Sequence, residues 1–292
     1  MKVRESFVSV VIIDYKTKKL LEELIISIEQ CSHEVKEIII VDNNPEVLQL
    51  DINPGIKTII CRPGKNIGFA KGNNRGFEKT SGEFILFLNP DMFLLNDVPR
   101  LLKEKLLSDD KIGIIGPKFQ NKDGSHQIST RRFPSLAFAV LKFIPAGLYF
   151  FKNVKDSYYD KNIMEDKEKF VDTVSTGAFM VRSTLYEKLG GFDEAMFMYG
   201  EDAELCKRIR DMGYKVQYYP KAKLVHYGGQ SSKLASKIAI ISYYYSFYYL
   251  FKKHVVGNFM VIFKPLFFLI SRLHLLIMLF KRDKRLTWNN KI

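Results

Sequence analysis

The sequence has few cysteines and lacks the common nucleotide-binding loops. Its three cysteines, Cys31, Cys61 and Cys206, are odd in number among 292 residues and lack metal-site spacing, which predicts a reducing cytoplasm. No GxGxxG follows the first apolar run, and no GxxxxGK(S/T) occurs. Without those loops, the sequence excludes the dinucleotide fingerprint and the P-loop, so any nucleotide must be held in another way.

A secretory signal, an internal repeat and a low-complexity linker are also missing. The first five residues carry charge, and the apolar run behind them contains Asp14. A secretory leader instead has an uninterrupted apolar region, so we expect none here. At 292 residues the chain has room for one domain of about 230 residues and a small appendage.

Two apolar runs flank one amphipathic segment near the start of the sequence. FVSVVIIDY contains Asp14 near its end, and EIIIVDNN ends in Asp42 and two asparagines. Continuous apolar strands of this kind predict a parallel sheet covered on both faces, with the polar residues at the crevice where such sheets bind ligands. Asp42 can accept a hydrogen bond from a pyrimidine N3–H there. An Asp-Asn-Asn turn is the structural alternative.

A third apolar run leads into Asn89, Pro90 and Asp91. A carboxylate just beyond a central strand is an oxygen ligand on a rigid support, as a divalent ion bridging two phosphates requires. The same three residues also suit an ordinary turn. Before this strand, glycines recur every four residues, which lets a helix lie close to a neighbour or a ligand; they are Gly64, Gly68, Gly72 and Gly76.

An acidic pair, Glu201 and Asp202, opens a predicted helix with apolar positions at Leu205, Ile209 and Met212. Carboxylates in a first helical turn are stabilised by the helix dipole and by free N–H groups. Simple capping is therefore the structural alternative to a catalytic role for this pair.

The sequence contains seven ordered motifs that resemble those of the family 2 glycosyltransferases of GT-A fold, and especially those of the bacterial rhamnosyltransferases. The resemblance extends from about Val8 to Ser232 and implies an α/β, Rossmann-like nucleotide-diphospho-sugar transferase domain over residues 1–232. It also implies inverting transfer assisted by Mn²⁺ or Mg²⁺. The motifs are the first strand ending in Asp14, VDNN, KNIGFAKGNNRG, FLNPD, STGAFMVR, GGFDEAMFMYGEDAELCKRIRDMGY and VHYGGQSS.

The resemblance implies a role for several residues. Asp91 matches the last carboxylate of the family's Asp-x-Asp motif, whose first position is Asn89 here, and His226 matches a metal ligand of several relatives. Two protein ligands are enough, because Mg²⁺ and Mn²⁺ keep waters and phosphate oxygens. Asp202 maps to the general base, while Glu201 would orient the acceptor or the base.

The remaining predicted contacts concern the donor. Small residues at the start of STGAFMVR let a sugar approach the backbone; they are Ser175, Thr176 and Gly177. The predicted nucleotide contacts are Asp14, Asp42, Asn66, Gly68, Asn73 and Asn89. The sequence departs from the family where Asp14 is followed by Tyr15 and Lys16, so nucleotide contacts there are expected through the main chain only. It departs again where Asn73 replaces a frequent arginine, with Lys71 and Arg75 nearby, so the pyrophosphate or base contact is expected to shift by a residue.

Acidic residues are almost missing from the last sixty residues. Residues 233–292 hold eleven lysines or arginines and one acid, Asp283, which places +10 of the formal net charge of +13 there. The segment interleaves aromatic and apolar runs in SYYYSFYYLFKKH, FMVIFKPLFFLI and LHLLIMLFKRDKR. Aromatic and cationic residues that flank an apolar body are typical of the headgroup boundary of a membrane.

We therefore expect residues 233–292 to form a helical appendage on an anionic membrane surface. Nucleic acid also attracts such charge, but it does not require the aliphatic cluster Leu273–Leu279. Basic flanks on both sides of residues 254–280, with Lys264, Pro265 and Arg272 inside, favour a monotopic hairpin over a span. Packing of these helices on the main domain or on a dimer partner is the structural alternative.

Arg131 and Arg132 precede another aromatic stretch. Guanidinium groups bind phosphate oxygens in a bidentate manner. Because the tail is predicted to contact a membrane, this arginine pair predicts a site for the diphosphate of a polyprenyl-linked acceptor. Ordinary surface charge is the alternative interpretation.

Together these patterns predict a metal-dependent inverting glycosyltransferase at the cytoplasmic face of the cell membrane, peripheral or monotopic. The expected donor is dTDP-L-rhamnose, and the expected acceptor is a polyprenyl-diphosphate-linked saccharide for cell-surface polysaccharide. A UDP-hexose or UDP-hexosamine donor is the alternative within this fold. A catalytically silent, membrane-bound binding subunit is the alternative of another class. No nucleic acid is expected as a partner, and a homodimer is left open.

Overall fold

A computed structural model describes residues 4–135, 137–138, 141, 151–159, 166–228, 236–257, 261, 264–265, 267–270 and 272–273. The first half alternates strands and helices, as its apolar runs predict. The elements are β1 (Glu5–Asp14), α1 (Lys18–Cys31), β2 (Val35–Asp42), β3 (Lys57–Cys61), α2 (Phe69–Phe77), β4 (Gly82–Leu88), β5 (Met92–Leu94) and α3 (Val98–Ser108).

The second half contains shorter strands and the helix that carries the acidic pair. Acidic residues occupy the first turn of that helix, α6, and basic residues its last turn, which suits the helix dipole. The elements are β6 (Ile112–Gln120), β7 (His126–Gln127), β8 (Thr130–Arg131), α4 (Lys152–Tyr158), β9 (Lys169–Val171), β10 (Thr173–Val174), β11 (Ala178–Arg182), α5 (Ser183–Leu189), α6 (Glu201–Asp211), β12 (Lys215–His226) and α7 (Ser236–His254).

One mixed sheet runs through the domain in the order β3-β2-β1-β4-β11-β6-β12-β5, with β7 and β9 paired to β6 and β12. Strands β1 to β4 pair in parallel, as predicted. The prediction of a parallel sheet is wrong beyond β4, because β11 enters between β4 and β6 in the antiparallel direction. Strands β8 and β10 form a separate two-stranded sheet.

The register of the strands brings the polar strand ends to one edge. Asp14 is opposite Asp42 across the parallel β1–β2 pair. Because β11 is antiparallel to β4, its first residue, Ala178, pairs with Leu88 at the carboxyl end of β4. The loop before β11 therefore meets the loop after β4, and the amide of Asn89 donates a hydrogen bond of 2.8 Å to the carbonyl of Gly177.

The glycine repeat of α2 has the packing role that its spacing predicts. A Cβ on Gly72 would lie 2.8 Å from Cδ1 of Ile13, and one on Gly76 would collide with Val11. Both contacts are with β1. The helix can lie close to the sheet only because these positions lack a side chain.

Two apolar clusters cover the faces of the sheet, and a third lies under the C-terminal helix α7. The third cluster is buried between α7, α4, α6 and the segment before α6. It shows that part of the aromatic tail packs on the main domain, which is the alternative to membrane contact for those side chains. Its buried members include Tyr158, Met196, Ala203, Phe247, Leu250 and Phe251.

The structure describes only some of the remaining tail residues, so it tests the membrane prediction only in part. Within the described part of the chain, no helix combines the length and the apolar character that crossing a membrane requires. Most of the run LHLLIMLFKRDKR of the predicted membrane-associating region lies outside the described residues. The hairpin and the domain division at residue 232 therefore stay predictions.

Candidate functional site

A cavity of about 380 Å³ opens at the edge where β1, β2 and β4 end and β11 begins. It collects most of the predicted site residues from segments far apart in the sequence. Those that line it are Asn66, Gly68, Asn89, Asp91, Arg131, Ser175, Thr176, Gly177, Glu201, Asp202 and His226. Asp14, Asp42, Asn73 and Arg132 are not among its lining residues.

Asp202 lies at the first turn of α6 and faces this cavity. Its Oδ2 accepts a hydrogen bond of 2.7 Å from Nη1 of Arg131 in β8, and its Oδ1 accepts one of 2.8 Å from the amide of Ala203. The carboxylate is thus held by an ion pair and a main-chain donor, while its residue stays 9% exposed. A fixed carboxylate open to a cavity can take a proton from a bound hydroxyl.

The backbone before α6 is strained where it turns the acidic pair toward the cavity. Tyr199 has φ of 71° and Gly200 has φ of 79°. The left-handed region suits Gly200, but it costs a tyrosine of the order of 1 kcal/mol. Strain of this kind is found where the surrounding structure holds a functional turn in place.

Glu201, beside Asp202, is almost fully buried. The hydroxyl of Thr176 donates a hydrogen bond of 3.2 Å to Oε1, whereas Oε2 has no hydrogen-bond partner within the described residues. Burial, reinforced by the charge of Asp202, raises the pKa of Glu201 to about 8. At neutral pH the side chain is therefore a neutral acid that can donate a hydrogen bond into the cavity.

Asp91 and His226 form the pair that the sequence predicts as metal ligands. His226 ends β12, and its Nε2 lies 3.5 Å from Oδ1 of Asp91. Its Nδ1 lies 2.8 Å from Oε1 of Gln127, at the end of β7. With that oxygen as acceptor, Nδ1 carries the proton and Nε2 presents its lone pair toward Asp91.

This donor set suits a divalent ion that keeps substrate and water ligands. One carboxylate oxygen and one imidazole nitrogen lie on the same side of the cavity, and the buried Asp91 is 5% exposed. Among the described residues no group of three His, Cys, Asp or Glu side chains forms a metal cage. Two protein ligands agree with Mg²⁺ or Mn²⁺ bound jointly with phosphate oxygens.

Asp14 and Asp42 point into the fold beside the cavity. Asp42 accepts hydrogen bonds of 3.1 Å from the amide of Asn44 and 3.0 Å from that of Leu48. Asp14 accepts one of 2.6 Å from the hydroxyl of Thr17. The amide side chain of Asn44 bridges both carboxylates. The structure thus has the turn that was the alternative at Asp42, and its contact with a base stays a prediction.

The neighbouring Asn43 is a polar cavity residue that the motif analysis did not single out. Its side chain is buried, and Oδ1 has no hydrogen-bond partner within the described part of the chain. Its Nδ2 lies 3.3 Å from Oδ1 of Asn66, which also accepts a hydrogen bond from the amide of Gly68. Asn73 instead donates to the carbonyl of Phe69 inside α2. Asn43 and Asn66 therefore line the cavity as neighbours.

Only glycine fits at position 68, for two reasons. Its φ of 86° lies in the left-handed region, and a Cβ there would lie 2.7 Å from the carbonyl oxygen of Phe197. That carbonyl accepts a hydrogen bond of 2.7 Å from the amide of Phe69. The glycine-rich loop is thereby joined to the segment that leads into the acidic pair.

Two further cavity residues come from α7, which the sequence analysis assigned to the membrane. Tyr243 and Phe247 line the cavity from this helix, beside Tyr158 and Tyr159 near the end of α4. Their four-residue spacing indicates one helical face, which is the signal that was available in the sequence. Gln127 had no comparable signal, because β7 is a two-residue strand placed by its pairing with β6.

The chain is similar to several known proteins. The family model described as glycosyl transferase family 2 matches residues 9–190. A model described as the N-terminal domain of galactosyltransferase matches residues 165–230. The chain is 26% identical over 253 residues to rhamnosyltransferase WbbL of Escherichia coli (strain K12), which covers 82% of this chain and 90% of that protein.

A second relative is N-acetylglucosaminyl-diphospho-decaprenol L-rhamnosyltransferase of Mycobacterium tuberculosis (strain CDC 1551 / Oshkosh). It is 25% identical over 238 residues, 76% of each chain. Among solved structures, mannosyltransferase PcManGT from Pyrobaculum calidifontis, in complex with GDP-Man and Mn²⁺, aligns with a TM-score of 0.55. The alignment covers 92% of this chain and 70% of that one at 17% identity, so it shows a shared GT-A-like fold alone.

Proposed function

Because the chain belongs to glycosyl transferase family 2, we propose that it transfers L-rhamnose from dTDP-L-rhamnose to a lipid-linked saccharide, with inversion. The proposal rests on one observation: a single cavity contains two separate pairs of polar side chains, Asp202 with Arg131 and Asp91 with His226. Inverting transfer needs a base for the acceptor and a clamp for the departing diphosphate. The names of the two relatives support rhamnose as the sugar.

Asp202 is the base of this reaction. Its carboxylate takes the proton of the acceptor hydroxyl while that oxygen forms a bond to the anomeric carbon of the donor. The bond between the anomeric carbon and the diphosphate oxygen breaks at the same time, and the nucleoside diphosphate leaves with its electron pair. Arg131 orients the Asp202 carboxylate through the 2.7 Å hydrogen bond to Oδ2.

Asp91 and His226 would hold Mn²⁺ or Mg²⁺ at the diphosphate end of the cavity. When bound, the ion supplies positive charge that stabilises the diphosphate leaving group. Gln127 holds the His226 ring so that Nε2 faces the site. Ser175, Thr176 and Gly177 offer small side chains and main chain to the sugar, and Glu201 donates a hydrogen bond there as a neutral acid.

The acceptor proposal is a saccharide on a polyprenyl diphosphate at the cytoplasmic face of the membrane. The M. tuberculosis relative is named for a diphospho-decaprenol acceptor. The outward side of the C-terminal region supports membrane contact, because seven large hydrophobic residues there are more than a third exposed; they are Ile238, Ile241, Tyr245, Val261, Phe268, Leu269 and Leu273. Exposed apolar residues of this kind, in a region with a strongly basic sequence, fit the interface of an anionic bilayer.

The first experiment measures transfer and donor hydrolysis with Mn²⁺, comparing dTDP-L-rhamnose with UDP-glucose, UDP-galactose and UDP-N-acetylglucosamine. The acceptor is N-acetylglucosaminyl diphosphate on a short alkyl chain. We expect turnover with dTDP-L-rhamnose and a loss of about 100-fold or more in Asp202→Asn. The matched control is Asp211→Asn, at the exposed end of the same helix. Turnover with a UDP-sugar alone, or an active Asp202→Asn, would refute the donor or the base assignment.

The membrane proposal has its own experiment. Flotation of the full chain with phosphatidylglycerol vesicles should be reduced in Ile241→Glu and Leu269→Glu, because each places a charge on the apolar face. Leu107→Glu is the control, since Leu107 is similarly exposed on α3. Equal flotation of all three variants would remove the support for this face.

A further inference from the structure

One side of the cavity is aromatic, and the C-terminal helix supplies part of it. Tyr243 and Phe247 of α7 line the cavity together with Tyr199, the strained residue before the acidic pair. The ring of Tyr243 lies 5.7 Å from that of Tyr199 and 4.9 Å from that of Phe247, centroid to centroid. We call Tyr158, Tyr159, Tyr199, Tyr243 and Phe247 the aromatic wall.

The aromatic wall lies on the Asp202 side of the cavity. The carbonyl of Tyr158 accepts a hydrogen bond of 2.9 Å from the amide of Arg132, next to the Arg131 that holds Asp202. On α7, the hydroxyl of Ser246 donates one of 3.0 Å to the carbonyl of Met198. Both bonds join the wall to the residues around the base.

Ion pairs fix α7 against the helix that carries the base. Nζ of Lys253 lies 2.6 Å from Oδ2 of Asp193 and 2.7 Å from Oε1 of the fully buried Glu204 of α6. The hydroxyl of Tyr249 donates a further hydrogen bond of 3.0 Å to Asp193. The wall is therefore held in place before any substrate binds, as a preorganised binding site requires.

The chemistry of the wall favours a sugar ring over the other parts of the substrates. A diphosphate is bound by cations, and a polyprenyl chain needs only apolar surface. Rings with hydroxyl groups present an apolar face and a polar edge, which matches the alternating CH and OH groups of a pyranose. Outside the aromatic wall, the cavity is lined by the amide side chains of Asn43 and Asn66 together with Tyr15, Phe69 and Phe197.

We propose that the aromatic wall is the binding site for the acceptor saccharide, and that α7 thereby belongs to the catalytic site itself. This inference rests on the proposed function. The acceptor ring stacks on the partly exposed Tyr243, whose ring is supported by the buried Phe247 at 4.9 Å, with its reacting hydroxyl directed to Asp202. The face of α7 with Ile238, Ile241 and Tyr245 points away from this site and is exposed. One helix thus joins the acceptor site to the apolar surface.

The test separates acceptor binding from donor chemistry. Tyr243→Ala and Phe247→Ala should each raise the acceptor KM about tenfold, the effect of losing one aromatic contact in a pocket. Hydrolysis of dTDP-L-rhamnose without acceptor should change less than the acceptor KM. The probe is N-acetylglucosaminyl diphosphate on a short alkyl chain in a vesicle-free assay. Tyr243→Phe should restore most of the acceptor affinity, because it keeps the ring.

Phe170→Ala is the matched control, since Phe170 is an aromatic residue 52% exposed on β9 and does not line the cavity. Melting temperatures show whether a variant has lost its fold. An unchanged acceptor KM in folded Tyr243→Ala and Phe247→Ala, with transfer intact, would overturn the inference alone. Equal loss of donor hydrolysis would also overturn it. Failure of the unmodified chain to hydrolyse or transfer any donor would overturn the proposed function, and the inference with it.

Discussion

Arg131 donates a hydrogen bond of 2.7 Å to the carboxylate of Asp202, although the two residues are 71 positions apart. Arg131 was predicted, with Arg132, to bind the acceptor diphosphate. Its guanidinium is paired with the Asp202 carboxylate in this structure, and Arg132 does not line the cavity. Diphosphate binding by the two arginines stays a prediction, whereas the contact between Arg131 and Asp202 defines a second role for the first of them.

The Arg131 contact predicts a loss of turnover when the side chain is removed. Arg131→Ala should lower kcat by about tenfold or more, because the Asp202 carboxylate loses the group that orients it. Arg131→Lys should recover only part of this, since an ammonium cannot reproduce the planar guanidinium. Steady-state kinetics with saturating donor measure kcat and acceptor KM separately. Arg210→Ala is the control, because Arg210 also forms an ion pair and lies on α6.

A change in acceptor KM alone for Arg131→Ala would contradict the orienting role. It would instead favour the original prediction that this residue binds the acceptor diphosphate.

The raised pKa of Glu201 predicts that the stability of the fold decreases as pH rises. Burial, together with the Asp202 charge, raises its pKa from an ordinary 4.5 to about 8. The folded chain therefore holds a proton that the unfolded chain has lost between these values, and stability falls as pH rises from about 4.5 to about 8. Glu201→Gln removes this dependence. The groups that face Glu201 are Asp202, Arg131 and Thr176.

Melting temperatures of both proteins at several pH values measure this effect. The stability advantage of Glu201→Gln over the unmodified chain should grow toward pH 8. A constant difference across the range would mean that Glu201 is ionised in the folded chain at neutral pH.

Gln127 predicts a measurable effect on metal affinity. Gln127→Ala should weaken Mn²⁺ binding about 10- to 100-fold, because the partner that orients the ring of His226 is lost. His226→Ala should weaken it further. Titration of free Mn²⁺ by electron paramagnetic resonance measures binding without reference to activity. Gln30→Ala, at an exposed position of α1, serves as the control. Unchanged Mn²⁺ binding in His226→Ala would remove His226 from the ligand set.

Glu204 predicts an acid-dependent loss of stability. Burial alone would raise its pKa, but hydrogen bonds from His254, Arg208 and Lys253 lower it from 4.5 to about 2. Its stabilising effect is fully present above about pH 4.5 and is lost as pH falls toward 2. Glu204→Gln should cost roughly 3 kcal/mol at neutral pH, because the partly exposed Arg208 and Lys253 lose the buried carboxylate that they pair with.

Chemical denaturation at about pH 7 and in acid compares Glu204→Gln with the unmodified chain. The difference in the free energy of unfolding should shrink as pH falls. Glu104→Gln is the control, because its ion pair with Arg100 is exposed on α3. A difference that does not change with pH would show that the native Glu204 carries no depressed pKa.

The strand ends and the acidic pair show how far local sequence patterns predict the position of a side chain. Asp91, His226 and Asp202 share one cavity as expected. Their positions depend on local features, namely an apolar strand followed by a polar residue, or acids at a helix start. Asp14 and Asp42 also end strands, yet both accept hydrogen bonds from the Asn44 side chain and neither lines the cavity. No local pattern distinguishes these two outcomes, because the direction of a strand-end side chain depends on the loop beyond it.

Local sequence patterns predict the α/β class and the parallel strands β1 to β4, since periodicity and turn chemistry act over a few residues. The ordered motifs carry the resemblance to family 2. Tertiary packing sets the antiparallel direction of β11, the contact of Gln127 with His226 across 99 positions and the place of α7 at the cavity. These facts depend on which distant surfaces meet. In α7, apolar residues lie on both the buried and the exposed faces, so its sequence pattern alone predicts membrane contact along the whole helix. Only the packing shows that Tyr243 and Phe247 face the domain, whereas Ile238 and Ile241 are exposed.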